Sequence, residues 1–157
     1  MKNNLKELKA LKLEAYNHCT NATLEHALRI QTQIKSLETA LRSETKSSAG
    51  DKHETGRAMV QLEREKLGTQ LANVEQMQRT LQKIRTDTVA PIVITGSLVC
   101  TSAANYYIGI SVGMFSCSQK KIYCISSAAP IAKVLLGKKI GDVITFNNTK
   151  FEILEIC

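Results

Sequence analysis

Apolar side chains recur at steps of three and four residues through the first ninety positions of this chain. The stripes comprise Leu5, Leu8, Leu11 and Ala15, then Ile30, Ile34, Leu37 and Leu41, and finally Leu67, Leu71, Val74, Met77, Leu81 and Ile84. Such spacing is typical of amphipathic helices that pack along an apolar seam. It predicts two helices, at about residues 3–45 and 52–86, separated by a break at residues 47–50.

The two predicted helices must bury their stripes against something. The short break between them favours an antiparallel hairpin within one chain. At a rise of ~1.5 Å per residue the helices would be about 60 and 50 Å long. Pairing of two chains into a four-helix bundle is the alternative. The expected state is a monomer, although the sequence leaves the oligomeric state open.

The pattern changes to β-type alternation beyond Pro91. Strand-like segments lie at 92–99, 108–114, 121–125, 143–146 and 151–156. Pro130 suits the first position of one short helix, Gly137 suits its end, and Ala129 would be a weak N-cap. Residues 147–150 (NNTK) predict a hairpin turn. The fold class is therefore α+β, with a helical hairpin at 1–88 and a small bent antiparallel sheet with one short helix at 89–157.

Composition restricts the classes of function. Aromatic residues make up 4% and the net charge is +7, which favours an acidic partner or nucleic acid but argues against base stacking. The five cysteines form no CxxC pair and predict reduced, mostly buried thiols. The start lacks an apolar signal segment and no apolar run is long enough to span a membrane, so we expect a cytoplasmic protein without membrane partners.

Two carboxylates lie at the break between the helices, in the segment Gly50–Glu54. Asp51 and Glu54 are three residues apart at the start of a predicted helix, so their side chains converge on one side. Carboxylate oxygens are typical ligands of Mg²⁺, which accepts one or two of them and retains waters. The alternative is a capping box, with Asp51 as N-cap and Glu54 at the third helical position.

Basic side chains surround this tip. Arg42, Lys46, Lys52 and Arg57, followed by Arg64 and Lys66, suit contacts with RNA phosphates or an acidic protein surface. The alternative is a solvated helix face, since glutamates are interspersed among them. His53 suits acid–base or metal chemistry, but an exposed histidine at a turn usually performs neither.

Motifs of a self-contained enzyme are missing from the sequence. There is no Gly-x-Ser-x-Gly elbow, no GxGxxG fingerprint and no Walker loop. We therefore expect a protein that supplies groups to another molecule's active site.

Residues 126–143 (SSAAPIAKVLLGKKIGDV) and 151–156 (FEILEI) carry a resemblance to a known family, the GreA/GreB family of transcript cleavage factors. The first segment is similar to the family signature Ser-Pro-Ile-(Ala/Gly)-x-x-Leu-(Leu/Ile)-Gly-Lys-x-x-Gly-Asp, and the second resembles the family's last strand. At the tip, Gly50-Asp51-x-x-Glu54 resembles the family's Gly-Asp-x-x-Glu. With the two-helix layout, the resemblance covers most of the chain.

The resemblance implies an FKBP-like C-terminal domain that docks on RNA polymerase and a coiled coil that enters the polymerase's secondary channel. Asp51 and Glu54 would there help to hold an Mg²⁺ shared with the polymerase active site, next to the nascent RNA 3′ end. No cofactor would be bound stably by this chain, and hydrolysis would belong to the polymerase.

The sequence departs from the family pattern just after the acidic pair. The family continues Asn-x-Glu-Tyr, whereas this chain has Thr55-Gly56-Arg57-Ala58, and Ala129 replaces the serine before Pro130. Three hypotheses follow. The first is a cleavage-stimulating elongation factor, the second a secondary-channel regulator without cleavage activity, as in DksA-type proteins, and the third a coiled-coil adaptor outside transcription.

Overall fold

Two long helices open the structure, a computed structural model that describes residues 2–45 and 50–157, with side chains described at 4–43 and 54–157. Helix α1 spans Lys2–Thr45 and helix α2 spans Gly50–Gln82. The two predicted helices are confirmed, but α2 ends four residues earlier than expected. Its end tightens into i to i−3 hydrogen bonds, from Lys83 N–H to Thr80 O (3.2 Å) and from Ile84 N–H to Leu81 O (3.0 Å).

The rest of the chain forms six strands and one short helix. The strands are β1 (Leu98–Thr101), β2 (Asn105–Gly109), β3 (Gly113–Cys117), β4 (Lys120–Ser126), β5 (Val143–Phe146) and β6 (Thr149–Ile156), and helix α3 spans Pro130–Leu135. The strand order is β3-β4-β2-β1-β6-β5. The predicted α+β class, with a helix pair before a small sheet and one short helix, is confirmed.

One strand pair differs from the expected antiparallel sheet. Strands β2 and β4 are parallel, with Tyr106 opposite Tyr123, whereas the other pairs are antiparallel. The tight β3–β4 hairpin folds back so that β4 lies between β3 and β2. Alternation of apolar residues predicts which face a side chain occupies but says nothing about which strand lies next to it. The sheet is therefore mixed.

Both faces are buried at the centre of the sheet, along β1 and the second half of β2. On one face, Val99, Ile108 and Ile153 pack with Ala132 and Leu135 of α3. The opposite face carries Leu98, Cys100, Tyr107 and Cys124, all buried, and is covered by the first part of α1, whose buried residues include Leu8, Leu11, Ala15 and Cys19. All four residues of β1 are buried as a result.

The predicted hairpin turn at residues 147–150 is confirmed. Asn147 and Asn148 have φ values of 48° and 62°, as a type I′ turn requires, and they connect β5 to β6. Helix α3 has Pro130 in its first turn, and Ala129 precedes it without a side-chain cap. Gly137, just beyond the helix, has a φ of 79°.

The packing divides the chain into two compact units. The first contains residues 1–22 and 79–157, and the second contains residues 23–78. This division follows contacts rather than composition, and the boundary near residue 88 stays a prediction.

Gly96 provides the first test of this packing. Its φ is 96°, and a Cβ there would lie 2.7 Å from Cγ2 of Ile84. Gly96→Ala should lower the free energy of unfolding by about 2–5 kcal/mol, because it combines backbone strain with a clash. Gly137→Ala is the matched control, since its φ is 79° but no atom lies within 4 Å of the added Cβ, and it should cost about 1–2 kcal/mol. Equal losses in urea titrations of the two variants would contradict the close approach of Ile84.

Thiol reactivity tests the burial of the sheet. All five cysteines are free, and Cys117 is the one that is not buried. Burial, with a smaller contribution from Glu155, raises the pKa of Cys100 to about 11, so little of it is the reactive thiolate at pH 8. Iodoacetamide should therefore modify Cys117 first in the native protein, as read by peptide mass spectrometry. Equally fast modification of Cys100 would show that the sheet face is open.

Candidate functional site

The predicted acidic pair lies in the first turns of α2. Because α2 begins at Gly50, Asp51 and Glu54 occupy its second and fifth positions. The side chain of Glu54 is exposed. The side chains of Asp51, Lys52 and His53 lie outside the described residues, as does the whole of Lys46. The helical backbone places the two acidic positions one turn apart.

The observed start of α2 bears on the capping alternative. An N-cap residue precedes the first helical residue, so a helix that begins at Gly50 does not place Asp51 at the N-cap. Both acidic positions are within the first two turns, where the partial positive charge of the helix end stabilises negative charge.

Arg57 follows Glu54 on the same helix, three positions later, and both side chains are exposed. Residues three apart are neighbours on a helix surface, so the arginine brings positive charge beside the acidic group. This is the point at which the sequence departs from the family pattern. The local chemistry is therefore less acidic than that of a Gly-Asp-x-x-Glu-Asn-x-Glu-Tyr tip.

An apolar seam supports this site within the unit 23–78. Ala27, Ile30, Leu67 and Val74 are buried together, and Ile34, Leu37 and Leu71 pack against them. The predicted seam is thus confirmed from Ile30 to Leu37 and from Leu67 to Val74. Its burial holds the two helices side by side.

A salt bridge between the helices lies beside the seam. Arg64 Nη2 is 2.9 Å from Glu38 Oε1, and the side chains are 46% and 39% exposed. Because Glu38 and Arg64 are 26 positions apart yet in contact, the two helices run antiparallel here. Arg64 was expected among the basic contact residues, and its guanidinium is instead engaged within the chain. The sequence contained only a weak signal for this pairing, since the register of the helices was not known.

Other basic residues of the predicted contact set are exposed. Arg42 is exposed in the last turn of α1, where positive charge complements the negative helix end. Lys66 is also exposed. The structure brings Arg42 and Arg57 to the ends of α1 and α2 that adjoin residues 46–49. Their predicted contacts with RNA or polymerase stay a prediction.

Within the part of the chain that the structure describes, no three His, Cys, Asp or Glu residues lie close enough together to hold a metal ion. Among the same residues, no helix has a stretch apolar enough to cross a lipid bilayer.

The chain was compared with known proteins. No protein-family model and no curated protein matches it. A solved structure described as that of the transcription factor Gfh1 is similar over 90% of this chain and 92% of that chain, with 16% sequence identity and a TM-score of 0.34.

Two substitutions separate the contributions of the seam and the salt bridge. Ile30 is 2% exposed, so Ile30→Ala should lower the free energy of unfolding by about 2–5 kcal/mol. Glu38→Ala removes an exposed ion pair and should cost less than about 1 kcal/mol. Thermal and urea unfolding, followed by circular dichroism, would measure both. A larger loss in Glu38→Ala would mean that the ion pair, rather than the seam, holds the helices together.

Proposed function

We propose that this chain is a GreA/GreB-type transcription factor that binds RNA polymerase and inserts its helix pair into the secondary channel, where it stimulates cleavage of backtracked RNA. The observation that carries the proposal is the position of Asp51 and Glu54, in the first turns of the second helix of an antiparallel pair. The match to the family's Gly-Asp-x-x-Glu pattern supports a role for these two carboxylates in binding Mg²⁺.

The second resembling segment supports the same proposal. Residues 126–143 contain the end of β4, all of α3 and the start of β5. Gly137 and Gly141, two glycines of the signature, have φ values of 79° and 90°. Residues with side chains are strained at such angles. The glycines of the signature therefore meet a backbone requirement of the sheet domain. We assign docking on the polymerase to this domain.

The chemistry proposed for the tip is supplied to another active site. Carboxylates at 51 and 54 would hold an Mg²⁺ shared with the polymerase, and such an ion activates water for attack on a phosphodiester. The exposure of Glu54 is compatible with this role. Arg42, Lys46, Lys52 and Arg57 would contact RNA phosphates or the channel wall. The chain itself would be an accessory factor and not an enzyme.

A transcript cleavage assay tests the proposal. A cognate RNA polymerase is stalled and backtracked, the protein is added with Mg²⁺, and the RNA 3′ ends are resolved on a sequencing gel. We expect shortened RNA with the native chain. Asp51→Asn and Glu54→Gln should each reduce the cleavage rate at least tenfold while polymerase binding is retained. Asparagine has nearly the same shape as aspartate but no charge, so Asp51→Asn tests the charge at this position.

Glu75→Gln is the matched control for this assay, because Glu75 is another exposed carboxylate of α2, in the unit 23–78, and does not belong to the acidic pair. It should leave cleavage unchanged. Cleavage that survives both Asp51→Asn and Glu54→Gln would contradict the role of the tip. Failure of the native chain to bind polymerase would leave the coiled-coil adaptor as the remaining hypothesis.

A channel regulator without cleavage activity is the second candidate. It is favoured by Arg57, exposed one helical turn from Glu54, where the family pattern has a glutamate. On this hypothesis the native chain binds polymerase and changes initiation or pausing without shortening RNA.

The double variant Arg57→Glu/Ala58→Tyr distinguishes the two candidates. It restores the acidic and aromatic residues of the family tip, and we expect it to increase the cleavage rate several-fold over the native chain. If Arg57 instead contacts RNA phosphate, the same variant should weaken binding to the backtracked complex and make binding less salt-dependent. Unchanged cleavage and unchanged binding would show that position 57 does not contribute to either activity.

A further inference from the structure

Strand β5 forms one edge of the six-stranded sheet, because it comes last in the strand order and pairs with β6 on one side. An edge strand presents a row of backbone N–H and C=O groups that no neighbouring strand uses, and proteins often protect such edges with charged side chains or proline. The sequence of β5, VITF, contains neither. Its outer edge therefore lacks the usual protection against the addition of a further strand.

The register with β6 determines which residues of β5 direct their backbone groups outward. Val143 lies opposite Glu152, and Thr145 lies opposite Lys150. The backbone N–H of Ser102 donates to the carbonyl oxygen of Glu152 (2.9 Å), and the N–H of Glu152 donates to Oγ of Ser102 (3.0 Å), so the backbone groups of Glu152 face away from β5. Such pairs alternate with hydrogen-bonded pairs along an antiparallel ladder. The N–H and C=O groups of Val143 and Thr145 therefore point to the free edge.

A groove lies beside this free edge, within the unit formed by residues 1–22 and 79–157. Its volume is ≈ 420 Å³, and it is lined by β5 on one side and by α3 with the residues that follow it on the other, namely Val143, Ile144 and Thr145, and Lys133, Val134, Leu136 and Lys138. Extended peptides commonly bind at an exposed sheet edge by adding to the sheet as a strand. The groove has the position and the free backbone groups that this mode of binding requires.

Two lysines give the groove positive charge. Lys133 and Lys138 are exposed, the lining residues include no Asp or Glu, and the salt bridges found among the described residues involve neither lysine. Asp142, beside the groove, accepts a 2.8 Å hydrogen bond from the backbone N–H of Lys139. A second copy of this chain would bring lysines against lysines at this edge, whereas an acidic segment would complement them. The charge therefore favours an acidic occupant.

We propose that this groove binds an extended acidic segment of a partner protein, which adds to β5 as a further strand. The backbone of the segment would pair with the outward N–H and C=O groups of Val143 and Thr145. Because side chains of a strand alternate between the two faces of a sheet, acidic residues of the segment would reach Lys133 and Lys138 on the α3 face. Apolar residues on the other face would cover the side chain of Val143, which is 64% exposed. The proposal does not depend on the proposed transcription function.

Amide hydrogen exchange, measured by NMR on the full chain, tests the strand addition. The probe is the blocked peptide acetyl-Glu-Val-Glu-Val-Glu-Val-Glu-amide. At about ten times its Kd, exchange at Val143 and Thr145 should slow about tenfold, because the peptide must leave before these amides exchange. Exchange at Ile144, whose N–H faces β6, should not change. Met114 and Ser116 occupy the corresponding positions of the opposite edge strand β3, where no change is expected, and they serve as the internal control.

N-methylated peptides separate backbone pairing from attraction between charges. One variant of the probe is methylated at the backbone nitrogens of its valines and the other at those of its glutamates, so both retain every charge. Alternate residues of a strand direct their N–H groups to the same edge, so one variant should lose about tenfold or more in affinity and the other should bind nearly as well as the probe. Loss in the valine variant indicates antiparallel addition, and loss in the glutamate variant indicates parallel addition.

Charge reversal tests the contribution of the lysines. Lys133→Glu and Lys138→Glu should each weaken binding of the probe about five- to tenfold, as expected for exposed ion pairs, and the affinity of the native chain should fall as salt is added. Lys121→Glu is the matched control, because Lys121 is an exposed lysine on β4, which three other strands separate from β5. It makes the same change in net charge and should leave binding unchanged.

Four results would overturn the proposal. The first is an absence of binding at about 1 mM peptide. The second is binding that survives both patterns of N-methylation, which would mean attraction between charges without strand addition. The third is unchanged exchange at Val143 and Thr145 in the bound protein, and the fourth is a dimer of this chain, seen by native mass spectrometry, that protects the same two amides without any peptide. These measurements contain no polymerase, so they are independent of the transcript cleavage assay.

Discussion

Burial of the central strand β1 on both of its faces is the constraint on which the rest of this structure depends. Strand β1 is buried along its whole length, with Val99 directed to the α3 side and Leu98 to the side covered by α1. A sheet with apolar residues on both faces must be covered twice. The first part of α1 provides one cover, and α3 provides the other.

This constraint explains why the buried residues of α1 form two groups, one packed with the sheet and one packed with α2. Up to Ala22 it packs with the sheet, where Lys12 is 3% exposed and donates a 2.6 Å hydrogen bond from its ammonium group to the carbonyl of Thr88. Burial lowers the pKa of Lys12, and Cys157 and Asp87 partly oppose that effect. From Thr23 onward the same helix belongs to the other unit, where its apolar seam packs with α2. One helix thus serves both the sheet and the helix pair that carries the acidic positions.

Much of the fold was predictable because it depends on local patterns. The seam at Ile30, Ile34 and Leu37 follows from a period of three and four residues, and the Asn147–Asn148 turn follows from residues that tolerate positive φ. The parallel pairing of β2 with β4 was not predictable, because a strand's alternation identifies its faces and not its neighbours. The contact between Glu38 and Arg64 depends on the same kind of long-range register.

The sequence by itself determined the elements, their order and the chemical identity of the candidate tip, since periodicity, turn residues and the Gly-Asp-x-x-Glu pattern are properties of neighbouring positions. Only the tertiary structure decided that α2 begins at Gly50, so that Asp51 lies inside the helix, and that Arg64 is paired with Glu38. It also brought the ammonium group of Lys12 within 2.6 Å of the carbonyl oxygen of Thr88, 76 positions away. Such contacts arise when separate elements pack together, and one-dimensional patterns do not specify that packing.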